Sequence, residues 1–312
     1  MKTRQFYTTG DYDILETEWD KPEISDTEIE VQSIYTGVCR SDIEMYQGNF
    51  HLPSIHMQGH EGLGRVTKVG KKVKRKEYPV KEGDIVATRG EPAFADFYNA
   101  EDGTFVVVPD ESPKYIVEPV ACALNIFNAA WGSIDRDSEI LILGSGFLAQ
   151  VVYAAFEYHD IKNPITVIGG ANTEHWQKTG AEIFNNFDAF RGREYSYDVI
   201  IDLSEKPEYL RDYTAHINAE ATYILAAEKH PELVMPVGDL LWKAVTMLFP
   251  SPRNNAFYGA MLSSVNMIEE GIIDTESMWT QAYDRDTEVK VAFEDGLNRP
   301  KGYQRGYIEW KT

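Results

Sequence analysis

The stretch that decides the fold is residues 139–149, EILILGSGFLA, together with the apolar residues that follow it. An apolar run ends in Gly144 and Gly146 and continues with apolar residues at helical spacing, which predicts a strand, a tight turn and a helix. Glycines in such a turn let the backbone approach a pyrophosphate, which would lie on the helix N-terminus. A GxGxxA pattern alone often arises by chance, but this one stands between a strand and a helix. The candidate nucleotide-binding residues here are Gly144, Gly146, Phe147 and Leu148.

The segments on either side of this turn divide the chain into two predicted domains. Downstream, the apolar runs PITVIGG, YDVIID, TYILAA and AVTMLF alternate with helical patterns. This alternation, with about six strands, is typical of a doubly wound parallel sheet with helices on both faces. Upstream, short β-type runs are separated by Gly, Pro and charged turns. We therefore expect an α/β protein with a dinucleotide domain at 126–265 and a β-rich domain at 1–125, which the tail, 266–312, rejoins.

Composition narrows the classes of partner. The 312 residues carry 50 acidic and 30 basic side chains, a net charge of −20, which repels nucleic acid and anionic membranes. The N-terminus has no apolar signal core, and no run approaches the roughly 18 apolar residues of a membrane span. Only two cysteines are present, Cys39 and Cys122, which excludes a disulfide scaffold. These features predict a cytoplasmic protein that binds neither nucleic acid nor membrane.

A second group of residues carries the ligand types of a catalytic zinc. Cys39 lies in GVCRSD, and His60 and Glu61 lie in GHEGLG. A thiolate, an imidazole and a carboxylate can hold zinc while a fourth position stays open for water or substrate. The spacing is much wider than in a zinc finger, so the fold would have to bring the ligands together. From the residues alone, a buried cysteine and a hydrogen-bonded core histidine are the commoner interpretation.

Longer motifs around these residues resemble a known family. Residues 59–73, GHEGLGRVTKVGKKV, and 37–42, GVCRSD, resemble the zinc-site segments of the zinc-dependent medium-chain dehydrogenase/reductase superfamily, in its alcohol- and sorbitol-dehydrogenase-like branch. The resemblance implies a GroES-like catalytic domain followed by a Rossmann domain. It also implies that Cys39 and His60 bind one zinc ion per chain. Glu61 would be a third ligand, or a carboxylate that moves on and off the metal.

A third segment, EPVACALNIF at 118–127, is similar to the one in sorbitol-, glucose- and threonine-type members where an acidic residue completes the zinc shell. The resemblance makes Glu118 the favoured third ligand. Cys122 is the competitor, with a packing role preferred for it. The segment TRGEPAFADF at 88–97 has no cysteine, so the lobe that carries a second, structural zinc in many members is absent.

The resemblance also assigns roles beside the metal. Ser41 matches the hydroxyl that passes the alcohol proton outward, although a serine here can equally cap a helix. Glu44 stands where the family often has a histidine at the outer end of that relay. Arg40 resembles the arginine that reaches the cofactor pyrophosphate in some members. The candidate catalytic residues are therefore Ser41, Glu44 and Glu61.

The strand after the glycine turn bears on the cofactor. An NAD enzyme usually offers an acidic residue to the ribose diol at the end of this strand. This chain has Gly169 and Gly170 there, so no carboxylate would repel a 2'-phosphate. Asn172 and Thr173 can donate hydrogen bonds to such a phosphate. The pattern favours NADP(H), with NAD(H) left open.

We therefore expect a zinc-dependent oxidoreductase that transfers a hydride between a nicotinamide cofactor and a secondary alcohol or polyol, or its carbonyl. Two alternatives stay open: a zinc-free reductase of the same superfamily acting on quinones or activated alkenes, and a non-catalytic nucleotide-binding relative. By analogy with the family, the strand near AVTMLF would pair two copies, in a homodimer or homotetramer. The sequence does not identify the substrate.

Overall fold

The computed structural model describes residues 1–50, 53–73, 79–186, 188, 196–206, 208–227 and 233–310. They form two compact units, one of Met1–Ala121 with Tyr258–Thr312 and the other of Cys122–Phe257. The sequence-based boundaries, at 125/126 and 265/266, lie four and eight residues further along the chain. The first crossing between units lies within the helix Glu118–Trp131, and the second lies at the start of the helix Phe257–Glu269.

Fifteen strands are described, and in chain order they are β1 (Lys2–Thr8), β2 (Ile14–Asp20), β3 (Glu28–Gly37), β4 (Glu61–Val69), β5 (Ile85–Thr88), β6 (Phe97–Glu101), β7 (Phe105–Val107), β8 (Ile140–Leu143), β9 (Ile165–Ile168), β10 (Glu182–Phe184), β11 (Tyr197–Asp202), β12 (Ile217–Leu225), β13 (Thr246–Leu248), β14 (Trp279–Asp284) and β15 (Arg305–Glu309).

The α-helices are α1 (Arg40–Tyr46), α2 (Glu118–Trp131), α3 (Phe147–Tyr158), α4 (Thr173–Trp176), α5 (Glu208–Tyr213), α6 (Val237–Trp242), α7 (Phe257–Glu269), α8 (Thr275–Met278) and α9 (Val289–Asn298). Short 3-10 turns occur at Ile55–Met57, Pro113–Tyr115 and Thr214–His216. Among the described helices, none is both long and apolar enough to span a bilayer.

The first unit is built on a seven-stranded sheet. Its order is β14-β15-β3-β4-β5-β7, with β6 also paired to β3, and β1 and β2 form a separate antiparallel pair. Buried side chains of neighbouring strands, such as Ile29, Val66 and Val86, pack into one core cluster. The antiparallel register of β3 and β4 sets Gly37 opposite Glu61, and this register positions the candidate metal ligands.

The second unit is a parallel six-stranded sheet with the order β10-β9-β8-β11-β12-β13. All four residues of β8 are buried, as expected for a central strand covered on both faces. The chain moves outward in one direction from β8 to β10 and in the other from β11 to β13. The point where the direction reverses is where doubly wound sheets bind ligands. The predicted fold class, a β-rich GroES-like domain with a doubly wound Rossmann domain, is confirmed.

Candidate metal centre and nucleotide turn

Three predicted ligands meet in the first unit. Cys39 is the N-cap of α1, directly after β3, and His60 and Glu61 stand at the start of β4. Because Gly37 pairs with Glu61, the end of β3 and the start of β4 lie side by side although they are far apart in the chain. One donor atom from each of Cys39, His60 and Glu61 lies within 4.8 Å of the other two. This distance is short enough for one ion to contact all three.

The carboxylate of Glu61 is held by a buried arginine. Glu61 is fully buried, and Arg305, at the start of β15, donates from Nη2 to Glu61 Oε1. The Arg305 guanidinium also lies over the Trp279 ring, 5.0 Å from its centroid. Glu61 Oε2 is buried and has no hydrogen-bond partner among the described residues. A buried carboxylate oxygen without a partner is costly, and a cation beside it would remove that cost.

Gly37 makes room for this carboxylate. A Cβ placed on Gly37 would collide with Glu61 Oε2 and would lie 2.8 Å from Cη2 of Trp279. The glycine is therefore required by the close approach of two side chains rather than by its backbone angles. The space that it leaves lies against the oxygen that lacks a partner.

Asp42 is a further acidic residue of the site, and the sequence analysis did not assign it a role. It is buried, and its Oδ2 accepts a hydrogen bond from the Cys39 N–H at 2.8 Å. Its Oδ1 is buried without a hydrogen-bond partner in the described part of the chain. Burial raises the pKa of Asp42 to about 6, although the charge of His60 and the Cys39 amide oppose the shift. The signal was the acid three residues after the cysteine in CRSD, which also fits a helix cap.

The protonation of Cys39 and His60 is linked to the binding of a cation. Burial raises the pKa of the Cys39 thiol, and the charge of Glu61 adds to this effect. Burial lowers the pKa of His60, but Cys39, Glu118 and Asp42 outweigh it and raise the pKa well above its ordinary value. A divalent ion reverses both tendencies, because it binds the thiolate and the neutral imidazole. Sulfur, nitrogen and oxygen donors in this combination are those of a zinc site, so the residues fit the metal.

Glu118 and Cys122 lie on α2. Glu118 is buried, and its Oε1 lies 3.8 Å from Arg89 Nε. Its charge acts on His60, but among the described residues it does not belong to the group of donors within 4.8 Å of one another. Cys122 is partly buried, forms no disulfide and likewise lies outside that group. The structure thus brings Glu61, and not Glu118, into the closest set.

The remaining candidates of this unit share α1. Ser41 is buried in the first turn. Arg40 and Glu44 form an (i, i+4) ion pair with Nη2 and Oε1 2.7 Å apart, and Glu44 Oε2 accepts from Asn49 Nδ2 at 2.8 Å. Glu44, the predicted outer end of the relay, and Arg40, the predicted pyrophosphate contact, therefore bind each other.

The glycine turn of the second unit has the predicted form. Gly144 has a φ of +111°, which favours glycine, and Gly146 is the N-cap of α3. No described side chain caps α3, no acidic residue lies in its first turn, and no atom of the described residues lies within 4 Å of a Cβ placed on Gly146. Phe147 and Leu148 begin the helix. An uncapped N-terminus with open space before it fits a pyrophosphate.

The segment after β9 holds the other predicted cofactor residues. Gly169 donates to the Phe184 carbonyl at 2.9 Å, continuing the β9–β10 ladder. Asn172 has a φ of +55° and is the N-cap of the short helix α4, which Thr173 begins. The Asn172 side-chain amide donates to the Ser145 carbonyl at 3.3 Å, so it faces the glycine turn.

Comparison with known proteins gives a family match in the first unit and similar folds over the whole chain. Residues 25–107 match the family described as "Alcohol dehydrogenase GroES-like domain". D-xylulose reductase of Scheffersomyces stipitis is 42% identical over 95 residues, which are 28% of this chain and 25% of that protein. Sorbitol dehydrogenase of Mus musculus is 23% identical over 263 residues, 72% of each chain. The chain thus matches only a quarter of the length of the first relative.

Solved structures extend the similarity of fold. A structure described as a short chain alcohol dehydrogenase from Escherichia coli, complexed with NADH, superposes with a TM-score of 0.80 at 17% identity over 99% of both chains. Staphylococcus aureus TarJ in complex with NADPH gives a TM-score of 0.79 at 17% identity over 100% of both chains. At this identity the likeness shows the fold alone.

Proposed function

We propose a function from the premise that this chain belongs to the alcohol- and sorbitol-dehydrogenase-like family of medium-chain dehydrogenases and reductases. The protein is a zinc-dependent oxidoreductase that transfers a hydride between NAD(P)(H) and a secondary alcohol or polyol, or its carbonyl. The observation that carries the proposal is the set of Cys39, His60 and Glu61 donor atoms within 4.8 Å of one another. The names of the relatives, which include reductases and dehydrogenases of polyols, support the substrate class.

Cys39 and His60 would hold one zinc ion, with Glu61 as the carboxylate of the set and Glu118 as the alternative ligand. When bound, the metal polarises the substrate oxygen and stabilises an alkoxide. Arg305 holds Glu61 in place through Oε1, which leaves Oε2 for a cation. Asp42 supports the two ligands without being one of them. It accepts from the Cys39 N–H and places negative charge near His60.

A proton must leave the alcohol when the hydride leaves, and Ser41 is the proposed carrier. Ser41 is two residues from Cys39 and on the first turn of α1. Glu44 remains a candidate for the outer end of the relay, where it forms an ion pair with Arg40. Arg40 stays the proposed pyrophosphate contact.

The nucleotide would bind the second unit at the turn of Gly144 and Gly146. The uncapped first turn of α3, at Phe147 and Leu148, would receive the pyrophosphate on its backbone N–H groups. The ribose would face the segment after β9, with Gly169, Asn172 and Thr173. NADP(H) and NAD(H) are both proposed cofactors.

The second unit also has a surface suited to a second copy of the chain. Strand β13 is the last strand of the described sheet, and its outer edge is paired with no described strand. Large apolar side chains are exposed in the segment that precedes β13 and directly after it: Val234, Val237, Leu241, Trp242 and Phe249. Open strand edges and exposed apolar patches of this kind commonly mark interfaces. We propose a homodimer through this edge, with a homotetramer as the larger alternative.

The proposal is tested by metal content and activity together. The full chain, purified without chelator, is expected to hold about one zinc per chain by elemental analysis. It is expected to change nicotinamide absorbance with at least one member of a panel of polyols, sugars and secondary alcohols, assayed with both cofactors. Cys39→Ser and His60→Ala should lose the metal, whereas the matched control Cys122→Ser should keep it. Zinc-free protein that does not bind zinc on titration would favour the zinc-free reductase, and protein that binds a nucleotide but turns over no member of the panel would favour the non-catalytic nucleotide-binding relative.

A further inference from the structure

Strand β11 ends in a buried acid that the proposed mechanism does not use. Asp202 is the last residue of β11 and is fully buried. It lies opposite Leu143 of β8 and Leu225 of β12, at the carboxyl ends of three neighbouring parallel strands. The direction of the sheet reverses between β8 and β11, and doubly wound sheets bind their ligands at such a point. A polar side chain buried here needs hydrogen-bond partners, and these partners indicate what it holds in place.

Asp202 joins the two loops that leave this edge of the sheet. Its Oδ1 accepts from both the N–H and the hydroxyl of Ser204, each at 3.0 Å, in the loop after β11. Its backbone carbonyl accepts from the N–H groups of Ala226 and Ala227, at 3.0 and 3.1 Å, in the loop after β12. Its Oδ2 accepts at 2.8 Å from the hydroxyl of Tyr223, a fully buried residue of β12. One residue therefore fixes the beginnings of both loops.

The first of these loops lies against the glycine turn. Leu203 follows Asp202 directly, and its N–H donates to the Leu143 carbonyl at 2.8 Å. A Cβ placed on Gly144 would lie 3.2 Å from the Leu203 carbonyl oxygen and 3.4 Å from Leu203 Cβ. The hydrogen bonds of Asp202 to Ser204 hold the chain on the other side of Leu203. They therefore help to set the backbone beside the turn that would receive the pyrophosphate.

We propose that Asp202 is a positioning residue for the nucleotide and acts through its hydrogen bonds to Ser204 and Tyr223. The inference rests on the proposed function and adds to it a residue outside the glycine turn. A hydrogen-bonded network in a protein interior favours one arrangement of the backbone, and a preformed site binds more tightly because less is ordered on binding. Asp202 and Tyr223 are both fully buried, so their effect would reach the nucleotide through the loops.

The same two strands carry a matched hydrogen bond near their opposite ends. Asn218 of β12 donates from Nδ2 to Oδ1 of Asp198 in β11, at 2.7 Å. Like the bond of Tyr223 to Asp202, it joins a neutral side chain of β12 to a carboxyl group of β11. It lies near the amino ends of the strands, away from the edge where the nucleotide would bind. Loss of either bond should destabilise the sheet, but only loss at the carboxyl ends should weaken the nucleotide.

The test compares Tyr223→Phe and Asn218→Ala with the wild type, each as the purified full chain. Isothermal titration calorimetry measures the binding of NADH and NADPH, and circular dichroism measures the melting temperature. Tyr223→Phe should raise both dissociation constants about threefold to tenfold, the range that one hydrogen bond supplies. Asn218→Ala should melt at a lower temperature and keep both constants within about twofold of the wild type. The zinc content should be the same in all three proteins.

Substitutions of Asp202 itself complete the test. Asp202→Asn keeps an acceptor for Ser204, and its amide can donate to the Tyr223 hydroxyl oxygen, so it should bind both nucleotides more tightly than Asp202→Ala. Equal binding by these two variants would contradict the inference. Wild-type constants in Tyr223→Phe, or equal weakening by Asn218→Ala, would overturn it and leave the proposed function standing. If the wild type binds neither nucleotide, the proposed function fails and the inference fails with it.

Discussion

Arg305 and Glu61 form a buried ion pair in which the guanidinium occupies one carboxylate oxygen and leaves the other free for a cation. The two residues are 244 positions apart in the chain, and the pairing of β15 with β3 and of β3 with β4 brings them together. The arginine thus fixes the orientation of a candidate ligand. It also compensates the burial of the carboxylate when no metal is bound.

Arg305→Met should destabilise the metal-free protein by about 3 to 5 kcal/mol, because it leaves a buried carboxylate without its partner. Urea unfolding in the presence of a chelator measures this change. Zinc should restore part of the loss, since the ion supplies the missing positive charge. The double variant Arg305→Met with Glu61→Gln removes both charges and should be less destabilised than Arg305→Met alone. Equal stability of the single variant and the wild type would show that the pair contributes nothing.

Asp42→Asn should weaken zinc binding by about 10- to 100-fold, the usual effect of losing a carboxylate that supports a metal ligand. The substituted amide oxygen can still accept from the Cys39 N–H, so the cap of α1 survives while the negative charge near His60 is lost. Competition with a chromogenic chelator measures the affinity. Asp42→Ala removes the cap as well and should be further destabilised. An unchanged affinity in the asparagine variant would limit Asp42 to capping.

Gly37→Ala should destabilise the protein by about 1 to 3 kcal/mol, the typical effect of overpacking a filled interior. Its methyl group would collide with Glu61 Oε2 and press on Trp279. The displaced carboxylate should also reduce the zinc content of the purified protein. Gly132→Ala is the matched control, because a Cβ placed there has no atom within 4 Å in the part of the chain that the structure describes. If Gly37→Ala and Gly132→Ala both have the melting temperature of the wild type, position 37 is not crowded and the prediction is wrong.

The stability of the folded protein at acid pH should depend on Glu30. Glu30 is buried and accepts from Lys21, Thr67 and Lys68, with Lys21 Nζ 2.8 Å from Glu30 Oε2. Burial raises the pKa of Glu30, but the hydrogen bonds from these three residues outweigh it, so that the pKa lies below its ordinary value of 4.5. The stability that ionised Glu30 adds is therefore present above pH 4.5 and is lost as the pH falls through the lower value of the folded state.

Glu30→Gln tests this pH dependence. At pH 7 the variant should unfold at lower urea concentration than the wild type. The difference should shrink as the pH falls below 4.5, because the wild-type carboxyl then becomes protonated as well. Unfolding curves are measured with chelator present, so that loss of metal does not contribute. A difference that stays constant from pH 7 to the acid range would contradict the prediction.

Local patterns were enough to predict the fold class, and not enough to predict the full site. The strand β8 and the turn at Gly144 are contiguous, so their apolar run and glycines are readable in the sequence. The hairpin of β1 and β2 was missed because β2 is largely exposed and shows little apolar alternation. Cys39 and His60 come together through the register of β3 and β4. The spacing of the two residues in the sequence does not reveal this register, so only the family resemblance predicted that they share a metal ion. Arg305 has no motif of its own, because its role depends on a partner at the other end of the chain.

The exposed edge of the second unit should control the oligomeric state. Leu241 is 75% exposed and Trp242 is 90% exposed, at the end of α6. Leu241→Asp with Trp242→Glu places two charges in this apolar surface and should convert a dimer into a monomer without loss of fold, since both side chains are already largely outside the core. Light scattering after size-exclusion chromatography measures the mass. Val291→Asp, at an exposed apolar position on α9, is the control and should leave the mass unchanged. A wild type that is monomeric at micromolar concentration, or a double variant that stays dimeric, would show that this edge is not the interface.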